Sequence, residues 1–141
     1  MNSQIELHSP KIILIAEDQF LVATDLKEEL EDNGYRVLDL TVRHQQAVAV
    51  ALACKPDLAL VNINLEGGDD GVALAGDLKV LGVPVLFISG QPLHALAARS
   101  VGVASLPKPY SSSDMVEAVD YLFRHEIGDE SQPRPSRLEV F

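Results

Sequence analysis

The 141-residue sequence has one cysteine, no tryptophan and an aromatic content of 5%. A single Cys54 argues against an internal disulfide framework and against a cysteine-built zinc site. It closes an apolar run with no motif around it, so it is expected as a small core residue rather than a nucleophile. With so few rings, the core must be built mostly from Leu, Val, Ile and Ala. Positive charge is also scarce: 11 Lys+Arg stand against 21 Asp+Glu, a formal net charge of -10. Nucleic-acid binding needs a concentrated Lys/Arg face, so no nucleic-acid partner is expected. Long apolar runs are missing as well. The strongest, Ile12 to Ala16, is far below the roughly 20 residues of a membrane-spanning helix. Residues 1–10 lack the basic start and apolar stretch of a signal peptide. His8, His44, His94 and His125 show no ligand spacing. A soluble, reducing, cytoplasmic setting without a membrane partner is the expectation.

What is present is alternation. Short apolar runs at Ile12–Ala16, Val37–Leu40, Leu58–Val61, Val83–Ile88 and Ala104–Leu106 predict strands. Between them, helical spacing predicts helices over Phe20–Asp32, Gln45–Cys54, Gly71–Leu81, Leu93–Ser100 and Asp114–His125. Phe20, Ala23, Leu26 and Leu30 mark one buried helical face, and Asn33-Gly34, Lys55-Pro56 and Gly82 punctuate the helix ends. Ser111 and Asp114 are spaced as a capping box for the last helix. Five strands alternating with five helices imply an α/β fold, a parallel sheet covered on both faces. Residues 1–10 read as an N-terminal extension, 11–125 as one folded domain and 126–141 as a flexible tail without periodicity.

In such sheets the functional site lies at the carboxyl ends of the strands. The first run ends in Glu17-Asp18, the third in Asn62-Ile63-Asn64, the fourth in Ser89-Gly90, and the fifth is followed by Lys108-Pro109. Two adjacent acids suit a hard cation such as Mg²⁺. A hydroxyl and an ammonium nearby suit phosphoryl oxygens. Singly these are ordinary residues: a solvated helix start, a cap, a surface lysine. Their order and spacing are far more specific.

The stretches KIILIAED, PDLALVNINLEGGDDG, VPVLFISG and LPKPYSSSD resemble the receiver domain of bacterial two-component response regulators. The resemblance covers about residues 11–125 and implies a flavodoxin-like, doubly wound five-stranded parallel sheet of order 2-1-3-4-5. It implies that Glu17 and Asp18 match the acidic pair that binds Mg²⁺, and that Asn64 offers its backbone carbonyl to the metal. Asn62 matches the aspartate that accepts the phosphoryl group. Ser89 matches the hydroxyl that follows that group on activation, Lys108 the lysine on its oxygen, and Pro109 the proline joined by a cis bond. The implied partner is a sensor histidine kinase or a histidine phosphotransfer protein, and the implied module is a signalling domain rather than an enzyme. With only about 16 residues after position 125, a stand-alone receiver is the expectation.

Three departures qualify that implication. An amide oxygen is a poor nucleophile and removes one anionic metal ligand, so phosphoryl acceptance at Asn62 is expected to be impaired and Mg²⁺ affinity weakened. The bland role for Asn62 is a hydrogen bond to Lys108 that holds the pocket closed. Asp57 lies at the opposite end of the strand, whereas Asp18 lies in the pocket. Two alternatives therefore stay open: a phosphorylatable receiver, with aspartate at 62 in the natural protein or Asp18 as substitute acceptor, and a flavodoxin-like small-ligand module. Second, Ser105 stands where receivers commonly carry a switching aromatic, and Ser89 and Gln91 replace the Thr and aromatic of a stand-alone subgroup. Tyr110 is expected to pack on the last helix instead. Third, residues 78–113 contain no acid, while Arg99 and Lys108 fall within them. The face built from the fourth helix, fifth strand and fifth helix is thus apolar and weakly basic (Leu93, Ala97, Val101, Val103), with Leu96 expected to be buried. A homodimer through that face is the second partner expected, and action through phosphorylation-independent protein binding is the functional expectation.

Overall fold

In the computed structural model, which describes residues 9–90 and 96–141, five parallel strands alternate with five helices. The strands are β1 (Ile12–Ala16), β2 (Arg36–Val37), β3 (Leu58–Asn62), β4 (Val85–Ser89) and β5 (Ala104–Pro107). The helices are α1 (Phe20–Asp32), α2 (His44–Ala53), α3 (Gly71–Val80), α4 (Leu96–Val101) and α5 (Ser112–Glu126). A sixth strand, β6 (Glu139–Val140), pairs antiparallel with β5, so the sheet runs β2-β1-β3-β4-β5-β6.

The strand sequences explain their places. Every residue of β3 and β4 is buried, as apolar strands covered on both faces must be. Side chains alternate across the sheet. Ile13, Ile15, Leu58, Leu60, Leu86 and Ile88 enter one core with residues of α1 and α5. Leu14, Ala16, Ala59, Val61, Val85 and Phe87 enter the other, with residues of α2, α3 and α4. The predicted stripe on α1 is real for Ala23, Leu26 and Leu30, whereas Phe20 at its head is 71% exposed. Asp57, at the opposite end of β3 from Asn62, accepts a 2.7 Å hydrogen bond from the Ile12 N–H.

At α5 the capping box is formed. Ser111 Oγ accepts from the Asp114 N–H at 3.1 Å, and the Asp114 carboxylate accepts from the Ser111 N–H at 2.9 Å. Ser111→Ala is expected to destabilise the chain by about 1 kcal/mol, read as a lower urea midpoint at unchanged slope.

Four expectations are corrected. Cys54 is exposed, because α2 ends at Ala53 and Cys54 caps it one turn beyond the buried Ala51. Leu96 is 80% exposed, since Ala98 is the α4 residue that meets the core. The second strand is only two residues long. Beyond Val37 the chain continues along β1 through the hydrogen bonds Leu38 N–H to Ile13 O and Thr41 N–H to Ile15 O. The end of the predicted flexible tail, Leu138 to Phe141, instead docks on β5, with Leu138 buried in the α1/α5 core. The expectations for His8, Gln91, Leu93 and His94 lie outside the described residues.

Candidate functional site

The ends of β1, β3, β4 and β5 bring Glu17, Asp18, Asn62, Ser89 and Lys108 to one rim of the sheet. Register does this: Asn62 pairs with Ile88 and Ser89 with Pro107, while Val61 is the partner of Ala16. The Lys108 N–H donates to the Ser89 carbonyl at 2.7 Å, tying the loop after β5 to the end of β4. Lys108-Pro109 is the cis peptide bond that the resemblance implied.

Glu17 is 1% exposed, whereas Asp18 beside it is open to solvent. The Glu17 N–H donates to the Thr41 carbonyl at 3.0 Å, so the bridge from the β2 loop fixes its backbone. Its Oε2 accepts from the Gln19 N–H at 3.0 Å and from Asn62 Nδ2 at 3.0 Å. Burial raises the Glu17 carboxyl above its ordinary pKa, opposed by those two N–H donors and the Lys108 ammonium.

Asn62 is buried and every hydrogen-bonding atom of its amide is used. Nδ2 reaches Glu17 Oε2 and, at 3.4 Å, Asp18 Oδ1, while Oδ1 accepts from the Asn64 N–H at 3.1 Å. The neighbours dictate this orientation. The reversed amide would set oxygen against two carboxylates and turn NH₂ toward an N–H donor. The partner expected for Asn62 was Lys108; the amide binds the acid pair instead, because two carboxylates lie within its reach and need donors.

Mg²⁺ fits these residues only in part. Glu17 Oε1 is buried without a hydrogen-bond partner among the described residues, which suits a cation. The rest does not. Mg²⁺ demands oxygens in near-octahedral array, and here an N–H donor lies on the acid oxygens that would face it. Asn62 Oδ1 is already held by Asn64, and the described residues contain no group of three acidic, histidine or cysteine ligands. As arranged, the set does not fit a tightly bound Mg²⁺. The amide N–H group sits between the acids in place of positive charge.

Around this centre, Ser105 is buried in β5. Tyr110 packs on the cluster that contains Met115 and Val116 of α5, as expected, and its hydroxyl is pushed up to about 12 by burial and by Glu17 and Asp25. Sequence reasoning missed three contributors. Gln19 and Thr41 act through backbone groups, which no side-chain pattern reveals. Gly71 opens α3 so close to β3 that a Cβ there would lie 2.3 Å from the Asn62 carbonyl oxygen. An Asp-Gly pair after the strand was the available signal for it. His44 pairs with Asp77 at 2.7 Å, and His125 stacks on Tyr121.

Residues 13–120 match the response regulator receiver domain family. The chain is 32% identical over 114 residues to the transcriptional regulatory protein PdtaR of Mycobacterium tuberculosis, covering 79% of this chain and 56% of that protein. It is 35% identical over 106 residues to the phyllosphere-induced regulator PhyR of Methylorubrum extorquens, covering 73% of this chain and 40% of that protein. The chain thus spans about half the length of these relatives or less. Among solved structures, the signal receiver domain of a modulated diguanylate cyclase from Desulfovibrio desulfuricans G20 superposes with a TM-score of 0.73 at 31% identity. That match covers 86% of this chain and 99% of that one. A two-component response regulator from Clostridium difficile shares the fold, with a TM-score of 0.75 at 24% identity, over 82% of this chain and 98% of that one. No described helix is long and apolar enough to cross a membrane. A doubly wound sheet of order 2-1-3-4-5, an acid pair and a lysine at its rim, and the family match over residues 13–120 lead to one conclusion: the chain belongs to the response regulator receiver domains, signalling modules of two-component systems.

Proposed function

We propose that this receiver acts by binding other proteins without accepting a phosphoryl group at residue 62. In this reading Asn62 holds the acceptor position of the family, Glu17 and Asp18 form the acid pair, Asn64 contributes its backbone, and Ser89 and Lys108 flank the acceptor. One observation carries it: the Asn62 amide donates to one oxygen of each acid and accepts from the Asn64 N–H at once.

The chemistry follows from the side chain. Phosphoryl transfer to a receiver needs a carboxylate as nucleophile and a cation to offset repulsion between an anionic donor and an acidic pocket. An amide oxygen is a weak nucleophile, and here its lone pairs face the Asn64 N–H. Glu17 and Asp18 repel an incoming phosphate, while Lys108 offers the only ammonium among the described rim residues and is shared with Glu17. The pocket is therefore held in one state by its own hydrogen bonds. Signalling by such a module passes through surfaces that a histidine kinase or another two-component protein recognises by shape. This supports a regulator that competes for or bridges partners rather than one that relays phosphoryl groups.

The test is incubation of the unmodified chain with Mg²⁺ and acetyl phosphate, or with a beryllofluoride mimic, followed by intact mass and fluorine NMR. No adduct and no bound fluoride are expected. A hydroxylamine-sensitive adduct mapped to Asp18 would replace this reading with the substitute-acceptor one. Tight beryllofluoride binding would overturn it outright.

A further inference from the structure

The C-terminal segment that the sequence left without structure is tied to the domain at several points. From the end of α5 the Asp129 N–H donates to the Arg124 carbonyl at 2.9 Å, and Gln132 Nε2 donates back to the Glu117 carbonyl at 3.2 Å. The Arg137 guanidinium then donates to the Pro109 carbonyl and, at 3.4 Å, to the Pro107 carbonyl, gripping the backbone on both sides of Lys108. Leu138, 3% exposed, enters the core. From there the chain runs back down the sheet as β6, opposite Ala104 and Ser105, and the Phe141 N–H donates to the Val103 carbonyl at 3.0 Å.

The segment matches the face it covers in charge as well as shape. Residues 78–113 contain no acid, so Arg99 on α4 has no anionic neighbour within that stretch. Both of its described side-chain partners come from the tail. Glu139 Oε2 lies 3.1 Å from its guanidinium, and the Phe141 ring lies 4.9 Å from it as a cation–π partner. Without the tail, β5 would present an unpaired row of backbone groups beside half-buried Val101 and Val103. Such an edge is a template for another strand. Because β6 lies antiparallel to β5, the edge is already shaped for an antiparallel partner. A second β5 related by a two-fold axis supplies one, and a self-complementary contact of that kind closes as a dimer.

We propose that residues 129–141 are an intramolecular strap that occupies the free edge of β5 and keeps the chain monomeric. On release, a second copy of this chain takes the strap's place. Arg137 couples the strap to the site, because letting go of Pro107 and Pro109 frees the backbone on either side of Lys108. This proposal stands on the tail contacts and does not depend on whether residue 62 accepts a phosphoryl group.

The test compares the unmodified chain with a Leu138→Asp/Phe141→Ala double variant by sedimentation velocity and backbone hydrogen exchange. The unmodified chain should sediment as a monomer with protected β5 amides. At low concentration the double variant should exchange Ala104–Leu106 about tenfold faster or more, and it should dimerise as concentration rises. A synthetic peptide of residues 129–141 should return the variant to monomer. Three results would overturn the proposal: a dimeric unmodified chain, a variant that exchanges faster yet stays monomeric at every concentration, or a variant dimer indifferent to the peptide. If circular dichroism shows that the double variant does not fold, Arg99→Ala decides. It leaves the core intact, removes both the ion pair and the cation–π contact, and must shift exchange and self-association the same way.

Discussion

Asn62→Asp is expected to lower the stability of the metal-free protein by about 3 kcal/mol and to make stability respond to Mg²⁺. The substitution deletes the Nδ2 donors that serve Glu17 Oε2 and Asp18 Oδ1 and puts a third carboxylate against them. Only the Asn64 N–H contact is kept. Like charges this close share a proton rather than both ionise. That limits the loss to a few kcal/mol, roughly a 10 °C fall in Tm for a domain of this size. With the amide gone, the acids face one another through oxygens alone, a donor set that suits Mg²⁺. Millimolar Mg²⁺ should therefore restore most of the Tm in the variant and move the unmodified chain little. With Mg²⁺ and acetyl phosphate the variant should also form an acid-labile, hydroxylamine-sensitive adduct. Asn62→Ala is the control: it loses the same donors without adding a third carboxylate, so it should be destabilised and respond to Mg²⁺ less than Asn62→Asp. If Mg²⁺ leaves the Tm of Asn62→Asp unchanged, the amide is not what keeps the cation out. If metal binds and no adduct forms, Ser89 and Lys108 do not assemble around the acceptor.

Two glycines in α3 should respond to the same change with opposite signs. An alanine at Gly71 would place its Cβ 2.3 Å from the Asn62 carbonyl oxygen and 2.8 Å from Ile63 Cα. Both neighbours are backbone, so neither can rotate away. The Gly71 N–H also donates to the Ile63 carbonyl at 2.7 Å, which pins the start of α3 to the end of β3. Relief requires moving the helix or the strand end, and either shift carries the Asn62 amide off the acid pair. A loss of about 3 kcal/mol is expected, at the upper end for overpacking. At Gly76 the nearest atom to an added Cβ is Val101 Cγ1 at 3.9 Å, an ordinary contact. There the gain in helix propensity dominates, and Gly76→Ala should stabilise by roughly 0.5–1 kcal/mol. Urea unfolding of both variants checks the pair. A Gly71→Ala protein within 0.5 kcal/mol of the parent, on the order of an ordinary surface change, would show that the α3–β3 junction is soft.

The central strands were legible because they are buried almost throughout: IILIA carries no polar residue, and LALVN and VLFIS carry one only at the final position, on the site rim. The edges were not. Arg36–Val37 is too short to show a period, and Glu139–Val140 lies at the end of a polar tail whose cues are only Leu138, Val140 and Phe141. Cys54 and Leu96 were misplaced for a related reason. One residue of helix end, or a register choice between Leu96 and Ala98 on a six-residue helix, decides which side chain meets the sheet.

For the site, residue types and their spacing were enough to name Glu17, Asp18, Asn62, Asn64, Ser89 and Lys108 as one group. Chain order places strand ends together once the sheet is parallel, and an amide at position 62 among those acids is visible in the letters alone. The direction in which Asn62 spends its hydrogen bonds was not. An amide carries a donor and an acceptor at nearly equal reach, so its partner depends on which neighbours lie within about 3 Å after folding. Packing alone also decided that Glu17 would be buried while Asp18 stayed exposed. The same holds for the tail, since an unpaired sheet edge exists only once β5 is in place. Composition therefore dictated an acidic chain, the strand-end residues an amide among acids, and the resemblance implied the receiver. Tertiary structure decided that the amide donates to those acids and that residues 138–141 cover the open edge of β5.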